Sequence, residues 1–163
     1  MFIGLISDTH GVFDSGFRDF FKDVDVIWHA GDFGGGMKTA AEISAFKPML
    51  GVYGNCDNQE LRFDCPEYRF FDCEGMKVLM THIVGYPGNY APTARKLIDS
   101  LHPDLFVCGH SHILRVVGDR KRNMLVINPG AAGHQGFHVV RTALRFHVDA
   151  GNIHDMEVFE TEK

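Results

Sequence analysis

The sequence predicts an α/β (α+β) fold, a two-sheet β-sandwich flanked by helices. In the first half of the chain, short apolar runs alternate with amphipathic segments, which is typical of parallel strands joined by helices. The second half contains more strand-like runs than one doubly wound sheet accommodates. Two sheets that pack face to face, with helices outside them, fit this pattern better than one sheet.

The first half alternates three predicted strands with two predicted helices. The chain begins with the apolar run Phe2–Ser7, which predicts a buried strand. A helix is predicted from about Ser15 to Phe21, because Phe17, Phe20 and Phe21 share one face. A second strand (25–29), a second helix (39–46, stopped by Lys47-Pro48) and a third strand (49–53) follow.

The second half is dominated by strands. Residues 68–72 and 76–80 predict a hairpin around a Cys-Glu-Gly turn, and residues 92–101 predict a helix before Pro103. Further strands are predicted at 105–108, 113–118, 124–128, 139–148 and 153–159, with a hairpin turn at 149–152. There is no repeat, linker or low-complexity segment, so we predict a single domain over residues 1–163.

Composition narrows the function classes. The chain of 163 residues is 45% hydrophobic, which excludes disorder, and it has no long apolar run that would span a membrane. The net charge of −5 argues against binding to a nucleic-acid backbone. With no basic leader and no CxxC pair among the four Cys, we expect reduced thiols in the cytoplasm. Exposed strand edges allow a homodimer.

Five of the predicted strands end at clusters rich in Asp, His, Asn and Gly. Ligands of open α/β sheets bind outside the carboxyl ends of the strands, so we expect the clusters to converge on one rim. Most of these clusters, taken alone, are explained by a turn or a buried imidazole; the last is more specific, and the ordered set is hard to explain in this way. The clusters are Asp8-Thr9-His10, Gly31-Asp32, Gly54-Asn55-Cys56-Asp57, Thr81-His82 and Gly109-His110-Ser111-His112.

The clusters supply seven nitrogen and oxygen donors and require no thiolate. One divalent ion needs only four to six ligands, so seven donors suggest two ions sharing a bridging carboxylate, each of whose oxygens can face a different ion. Mixed His, Asp and Asn ligands suit Mn, Fe, Zn or Ni, and paired ions are the usual device of phosphoryl chemistry. The donors are Asp8, His10, Asp32, Asn55, His82, His110 and His112.

The ordered motifs D-x-H, G-D, G-N-x-[DE], H and G-H-x-H resemble the calcineurin-like metallophosphoesterase family. The compact chain, GNCD in place of GNH[DE], and the later N-P-G are similar to its small phosphodiesterase branch. The resemblance runs from Asp8 to about Gly130 and implies a metallophosphoesterase-like sandwich. It also implies one ion on Asp8, His10, Asp32 and His112, and a second on Asp32 (bridging), Asn55, His82 and His110.

The predicted function is that of a binuclear-metal phosphodiesterase with manganese as the favoured metal. It would hydrolyse small phosphodiesters by attack of a metal-bridging hydroxide, with Asp32, Asn55 and His82 in the catalytic set. Larger family members carry a His that protonates the leaving group where this chain has Cys56, a poor acid. Asp57 is a candidate acid, although a loop-fixing role is the favoured alternative.

Four questions stay open at this point. The fold is similar to a retromer subunit that acts mainly as a protein-binding platform, so a non-catalytic scaffold is the main rival; retention of all seven donors favours the enzyme. A nuclease has little support, since the basic residues at 115 and 120–122 fit a solvated hairpin turn. His29 either orients Asp32 or packs locally, and the loop Tyr86–Tyr90 either covers the site or is a simple turn.

Overall fold

The computed structural model covers all 163 residues and contains two five-stranded sheets packed face to face. The first half comprises β1 (Phe2–Ile6), α1 (Ser15–Phe21), β2 (Val26–His29), α2 (Met37–Phe46), β3 (Met49–Gly51) and α3 (Gln59–Asp64). The second half comprises β4 (Tyr68–Cys73), β5 (Met76–Thr81), β6 (Gly85–Tyr86), β7 (Asn89–Tyr90), α4 (Pro92–Leu101), β8 (Leu105–Val107), β9 (Leu114–Asp119), β10 (Met124–Pro129), β11 (Val140–Asp149) and β12 (Asn152–Glu162).

Each sheet is mixed. The first has the strand order β12-β11-β1-β2-β3, in which β1, β2 and β3 run parallel and β11 and β12 are antiparallel additions. The second has the order β4-β5-β8-β10-β9, in which β5, β8 and β10 run parallel between antiparallel edge strands. Both sheets therefore have parallel strands at their centres, and the loops that follow these strands carry the predicted donors.

Three apolar layers hold the sandwich together. The inner layer lies between the sheets and includes Leu5 and Trp28 from the first sheet and Met80 from the second. A second layer packs α1, α2 and α3 against the first sheet, and a third packs α4 against the second sheet through Ala94 and Ile98. Because burial of apolar surface stabilises each contact, the helices stay outside the two sheets.

The predicted fold class is confirmed, and α1 and α4 begin and end at the predicted residues. The sequence pattern missed α3, whose six residues are too few to display a helical period. Its start signal was present, since the Asn58 side chain caps the helix by accepting from Leu61 N–H at 3.1 Å. None of the helices combines the length and the apolar character needed to cross a membrane.

Candidate metal centre

The predicted donors meet where the two sheets present their carboxyl ends. Loops after β1, β2 and β3 come from the first sheet, and loops after β5 and β8 come from the second. Six donors form two groups whose ligand atoms lie within 4.8 Å of one another: Asp8, His10 and His112, and Asp32, His82 and His110. The seventh, Asn55, is exposed and lines a cavity of about 340 Å³ together with His82.

Asp32 joins the two groups through a single oxygen. Its Oδ2 lies 3.2 Å from Nε2 of His82 and 4.0 Å from Nε2 of His10. Its Oδ1 accepts a hydrogen bond from the backbone N–H of Cys56 at 2.8 Å. Oδ2 is thus the Asp32 oxygen that is directed at both groups.

The two carboxylate oxygens of Asp8 differ: one is fixed by hydrogen bonds, and the other has no hydrogen-bond partner. Oδ2 accepts from Ser7 Oγ at 2.6 Å and from the backbone N–H of His110 at 3.0 Å. Oδ1 is buried and has no hydrogen-bond partner, although Nε2 of His112 lies 3.1 Å away. Since buried polar atoms are nearly always satisfied, a lone acceptor among imidazole nitrogens fits a bound cation.

His82 is oriented as a ligand. Its Nδ1 lies 2.7 Å from the carbonyl oxygen of Ala30, so Nδ1–H donates to that carbonyl and Nε2 carries the lone pair. Nε2 is buried without a hydrogen-bond partner. A backbone carbonyl that fixes the remote ring nitrogen is the usual support of a metal-binding imidazole.

The electrostatics of the two groups favour positive charge. Burial lowers the pKa of His82, but Asp32 and Asp8 outweigh burial and raise it above its ordinary value. Burial raises the pKa of Asp8, yet the neighbouring imidazoles of His112 and His82 bring it below its ordinary value. Both carboxylates thus stay ionised in a buried place, which a divalent cation would compensate.

The backbone is strained at most of the predicted ligands. Asp8, His10, Asp32, His110 and His112 all have positive φ, between 45° and 67°. Non-glycine residues rarely adopt this left-handed conformation, which costs about 1–3 kcal/mol at each position. Such strain persists only where the surroundings hold it, and five of the ten left-handed non-glycine residues of the chain lie at these predicted ligands.

Two glycines let neighbouring loops pack directly on the carboxylates. A Cβ atom at Gly54 would collide with the carboxylate and backbone of Asp32. A Cβ at Gly109 would collide with Ser7 Oγ and lie 2.7 Å from Oδ2 of Asp8. Only glycine permits this close approach, so both positions are needed to shape the centre.

The Asp57 carboxylate is hydrogen-bonded to loop backbone and is not directed into the cavity of the centre. Oδ2 accepts from the backbone N–H of Gly54 at 2.8 Å and of Asp32 at 3.0 Å, and Oδ1 accepts from Gly34 N–H at 3.3 Å. The side chain is buried, and burial raises its pKa above the ordinary value despite these hydrogen bonds. Its geometry is that of a carboxylate that ties the loop after β2 to the loop after β3. Its role as an acid stays a prediction.

His29 and Asn128 support the loops from behind. His29 accepts from Gly31 N–H at its Nδ1, at 3.2 Å, and its Nε2 lies 2.9 Å from Thr9 Oγ1. Burial lowers the pKa of His29 to about 3, so its ring is neutral and packs locally. The Asn128 amide donates to the carbonyl of Gly109 at 2.7 Å and shapes the loop that carries His110. The N-P-G motif was the only sequence signal for Asn128.

The other segments singled out by the sequence have structural roles. Residues 86–90 belong to the small β6–β7 hairpin, which is anchored where Tyr90 OH donates to Asp119 Oδ2 at 2.8 Å. In the basic cluster, Arg122 pairs with Asp99 and Asp119, at 3.1 and 3.4 Å, so its charge is compensated. Cys56 is exposed, and burial and the nearby Asp32 raise the pKa of its thiol, which leaves it neutral.

The two-sheet sandwich with paired His/Asp groups at its strand ends corresponds to a known superfamily. Residues 1–151 match the calcineurin-like phosphoesterase superfamily domain, and the chain belongs to this superfamily. It is 32% identical to a protein of Methanothermobacter thermautotrophicus described as a probable metallophosphoesterase, over 80% of this chain and 77% of that protein. Membership of this superfamily indicates a phosphoesterase-type hydrolase that binds divalent metal ions.

Solved structures support the fold. Vps29 from Entamoeba histolytica in complex with Zn²⁺ is similar with a TM-score of 0.73 and 16% identity, over 99% of both chains. A structure described as a novel archaeal phosphodiesterase is similar with a TM-score of 0.74 and 22% identity, over 98% of this chain and all of that one. At these identities the similarity establishes the architecture.

Proposed function

We propose that the protein is a binuclear-metal phosphodiesterase that hydrolyses small phosphodiesters. The observation that carries the proposal is the single Asp32 oxygen directed at both donor groups. The buried atoms without partners, Asp8 Oδ1 and His82 Nε2, point into the same space and support a bound cation there. Such a pair of cations would favour phosphodiester hydrolysis, because the two ions together stabilise the negative charge that develops in the transition state.

The ligands divide between two ions in this proposal. The first would be held by Asp8, His10, Asp32 and His112, and the second by Asp32, Asn55, His82 and His110. When bound, the ions would supply an activated water and stabilise the charge of the transition state. Manganese is the favoured metal, because the donors combine imidazole with oxygen and lack thiolate; zinc, iron and nickel are alternatives.

The residues around the ligands would keep this arrangement rigid. Asp57 ties the loop after β2 to the loop after β3, and the Ala30 carbonyl and His110 N–H fix His82 and Asp8. Preorganised groups need not reorient during the reaction. This saving in reorganisation is the largest contribution that a polar site makes to rate enhancement. In this proposal Asp57 is a positioning residue, and no side chain at the centre serves as a strong proton donor to the leaving oxygen.

The cavity beside the second ligand group would receive one arm of the substrate. It has a volume of about 340 Å³, and its lining includes Tyr53, Asn55, Arg62 and Thr93. Arg62 donates to the carbonyls of Asp57 and Asn55, at 2.9 and 3.2 Å, and lies over the Tyr53 ring. Arg62 places a cation, and Glu67 a carboxylate, at a polar cavity whose size suits one arm of a small phosphodiester.

We also propose the cytoplasm as the working compartment and residues 1–163 as one functional unit. All four cysteines are free, which suits a reducing environment. The net charge of −5 does not oppose an anionic substrate, because Asp8 and Asp32 would lie beneath two cations of about +2 each. A homodimer is compatible with the sheet edges and would be measured separately.

The experiment is turnover by the purified protein after metal removal and reloading with Mn²⁺. A panel of bis-aryl phosphates, cyclic nucleotides and phosphorylated metabolites would be assayed beside an aryl phosphomonoester. We expect diester hydrolysis that exceeds monoester hydrolysis and disappears on chelation. Metal binding without turnover of any substrate would contradict the enzyme and favour the non-catalytic scaffold, since a scaffold of the same fold can also bind metal.

A further inference from the structure

A second cluster of imidazole and carboxylate groups lies at the opposite end of the first sheet. His147 of β11 pairs with Phe2 at the start of β1, whereas Asp8 follows the end of β1. The six residue steps from Phe2 to Asp8, most of them in β1, separate these levels by roughly 20 Å. The cluster therefore contributes nothing to the metal centre, and the proposed phosphodiesterase does not use it.

The hairpin of β11 and β12 builds this cluster across two strands. His147 is directly opposite His154, and the next pair along the ladder is Arg145 with Glu157. One residue of β11 thus faces two residues of β12, Asp155 and Met156, which is a β-bulge. The pairing resumes beyond the bulge and continues to the end of the sheet.

The bulge changes the direction of the Asp155 side chain. Adjacent residues of a regular strand point to opposite faces, so His154 and Asp155 would be separated by the sheet. Asp155 instead has φ of 50°, and its Oδ2 lies 2.9 Å from Nδ1 of His154. A carboxylate and two imidazoles are thereby brought to the same side.

The ring of His147 is held in place between two others. It stacks on Phe2 with 4.1 Å between ring centroids and on His154 with 5.3 Å. Its Nδ1 is buried and has no hydrogen-bond partner. The unsatisfied nitrogen makes His147 a candidate metal donor, and the exposed His154 ring has to turn out of the parallel stack for both imidazoles to face one ion.

We propose that His147, His154 and Asp155 form a separate site for one divalent ion of the zinc, nickel and copper class. One donor atom of each residue lies within 4.8 Å of the other two. Two imidazoles and one carboxylate are the ligands that these ions prefer. The nearby Glu157 is occupied by Arg145, at 2.8 and 3.1 Å, so three protein ligands remain and water completes the coordination. The ion would link the edge strand β12 to β11.

The test is the number of zinc ions bound per chain after metal removal and equilibration with Zn²⁺. We expect wild-type protein to bind one ion more than His154→Ala, whose substitution lies at an exposed position and leaves phosphodiester turnover unchanged. Asp155→Asn keeps a residue that tolerates positive φ, and it should weaken binding of that one ion about tenfold or more. Ring C–H signals of His147 and His154 should shift in the wild-type nuclear magnetic resonance spectrum.

His102→Asn is the matched control, because His102 is exposed, has φ of 49° and lies outside all three donor groups. It should bind as many zinc ions as the wild type. An equal zinc count in wild type and His154→Ala would overturn the proposal. An equal loss in His102→Asn and His154→Ala would also overturn it, since the ion would then be bound by surface imidazoles without a site. Turnover is measured separately, so failure of this proposal and failure of the phosphodiesterase proposal are distinguishable.

Discussion

The metal centre and the hairpin cluster stand at opposite ends of the same sheet and are built in different ways. The centre draws donors from loops of both sheets, and five of these have left-handed backbone. The hairpin cluster consists of three residues on two neighbouring strands, of which only Asp155 has left-handed backbone. The centre therefore requires strained backbone and is preorganised. The hairpin cluster is formed by residues close in sequence and is partly exposed to solvent. We expect chemistry at the first and simple ion binding at the second.

The largest effect is expected from Asp32→Asn, compared with the same substitution at Asp155. Both aspartates have positive φ, 55° and 50°, and asparagine tolerates that conformation. Asp32→Asn should reduce turnover more than about a thousandfold, because both ions lose a ligand and even an outer partner is typically worth 10–100-fold. Metal analysis and diester hydrolysis measure this. Asp155→Asn should retain wild-type turnover, and full activity in Asp32→Asn would exclude the shared oxygen.

The next effect concerns the leaving group. With a neutral Cys56 thiol and an Asp57 engaged with three backbone N–H groups, the centre has no strong acid. Aryl diesters of rising leaving-group pKa should slow by roughly a hundredfold or more across a series, the contribution that general acid catalysis usually makes. Rates of the chemical step plotted against that pKa give the result. A flat plot would reveal an acid, and the plot for His154→Ala should match that of the wild type.

Asp57→Ala should damage the centre through its loops. Three backbone N–H groups lose their acceptor, and each unsatisfied buried donor costs about 1–3 kcal/mol. The free energy of unfolding should fall by at least about 2 kcal/mol, and metal affinity by 10–100-fold. Urea denaturation and metal titration measure both. Asp57→Asn retains one acceptor oxygen and should lose less; equal losses would argue against the loop-fixing role.

A smaller effect is expected from pH. The pKa of His29 falls to about 3 on folding, so the folded protein binds fewer protons there than the unfolded chain with its ordinary pKa of about 6.5. The stability from this group is complete above that value and is lost as pH falls toward 3, by up to about 1.4 kcal/mol per unit. Unfolding free energies of wild type and His29→Gln between pH 6.5 and 4.5 test this. Equal slopes would contradict it.

Most features that the sequence predicted are set by residues close together in the chain. Two features that depend on contacts between distant residues were not predicted. The ends of α1 and α4 and the donor motifs are visible because phenylalanine spacing, Pro92 and the Gly-rich strand exits act within a few residues. The single facing oxygen of Asp32 depends on Cys56, which comes 24 residues later, so no pattern reveals it. The bulge at Asp155 depends on the register between β11 and β12, which hydrophobic alternation does not specify to the residue.

The most direct measurement is turnover against the number of Mn²⁺ ions bound per chain. It is best made in His154→Ala, so that the hairpin cluster does not take up metal. We predict little diester hydrolysis when one ion is bound per chain. Turnover should reach a plateau when about two ions are bound, because a paired site holds two ions. Full turnover at one ion per chain, or none with two ions bound, would contradict a binuclear phosphodiesterase.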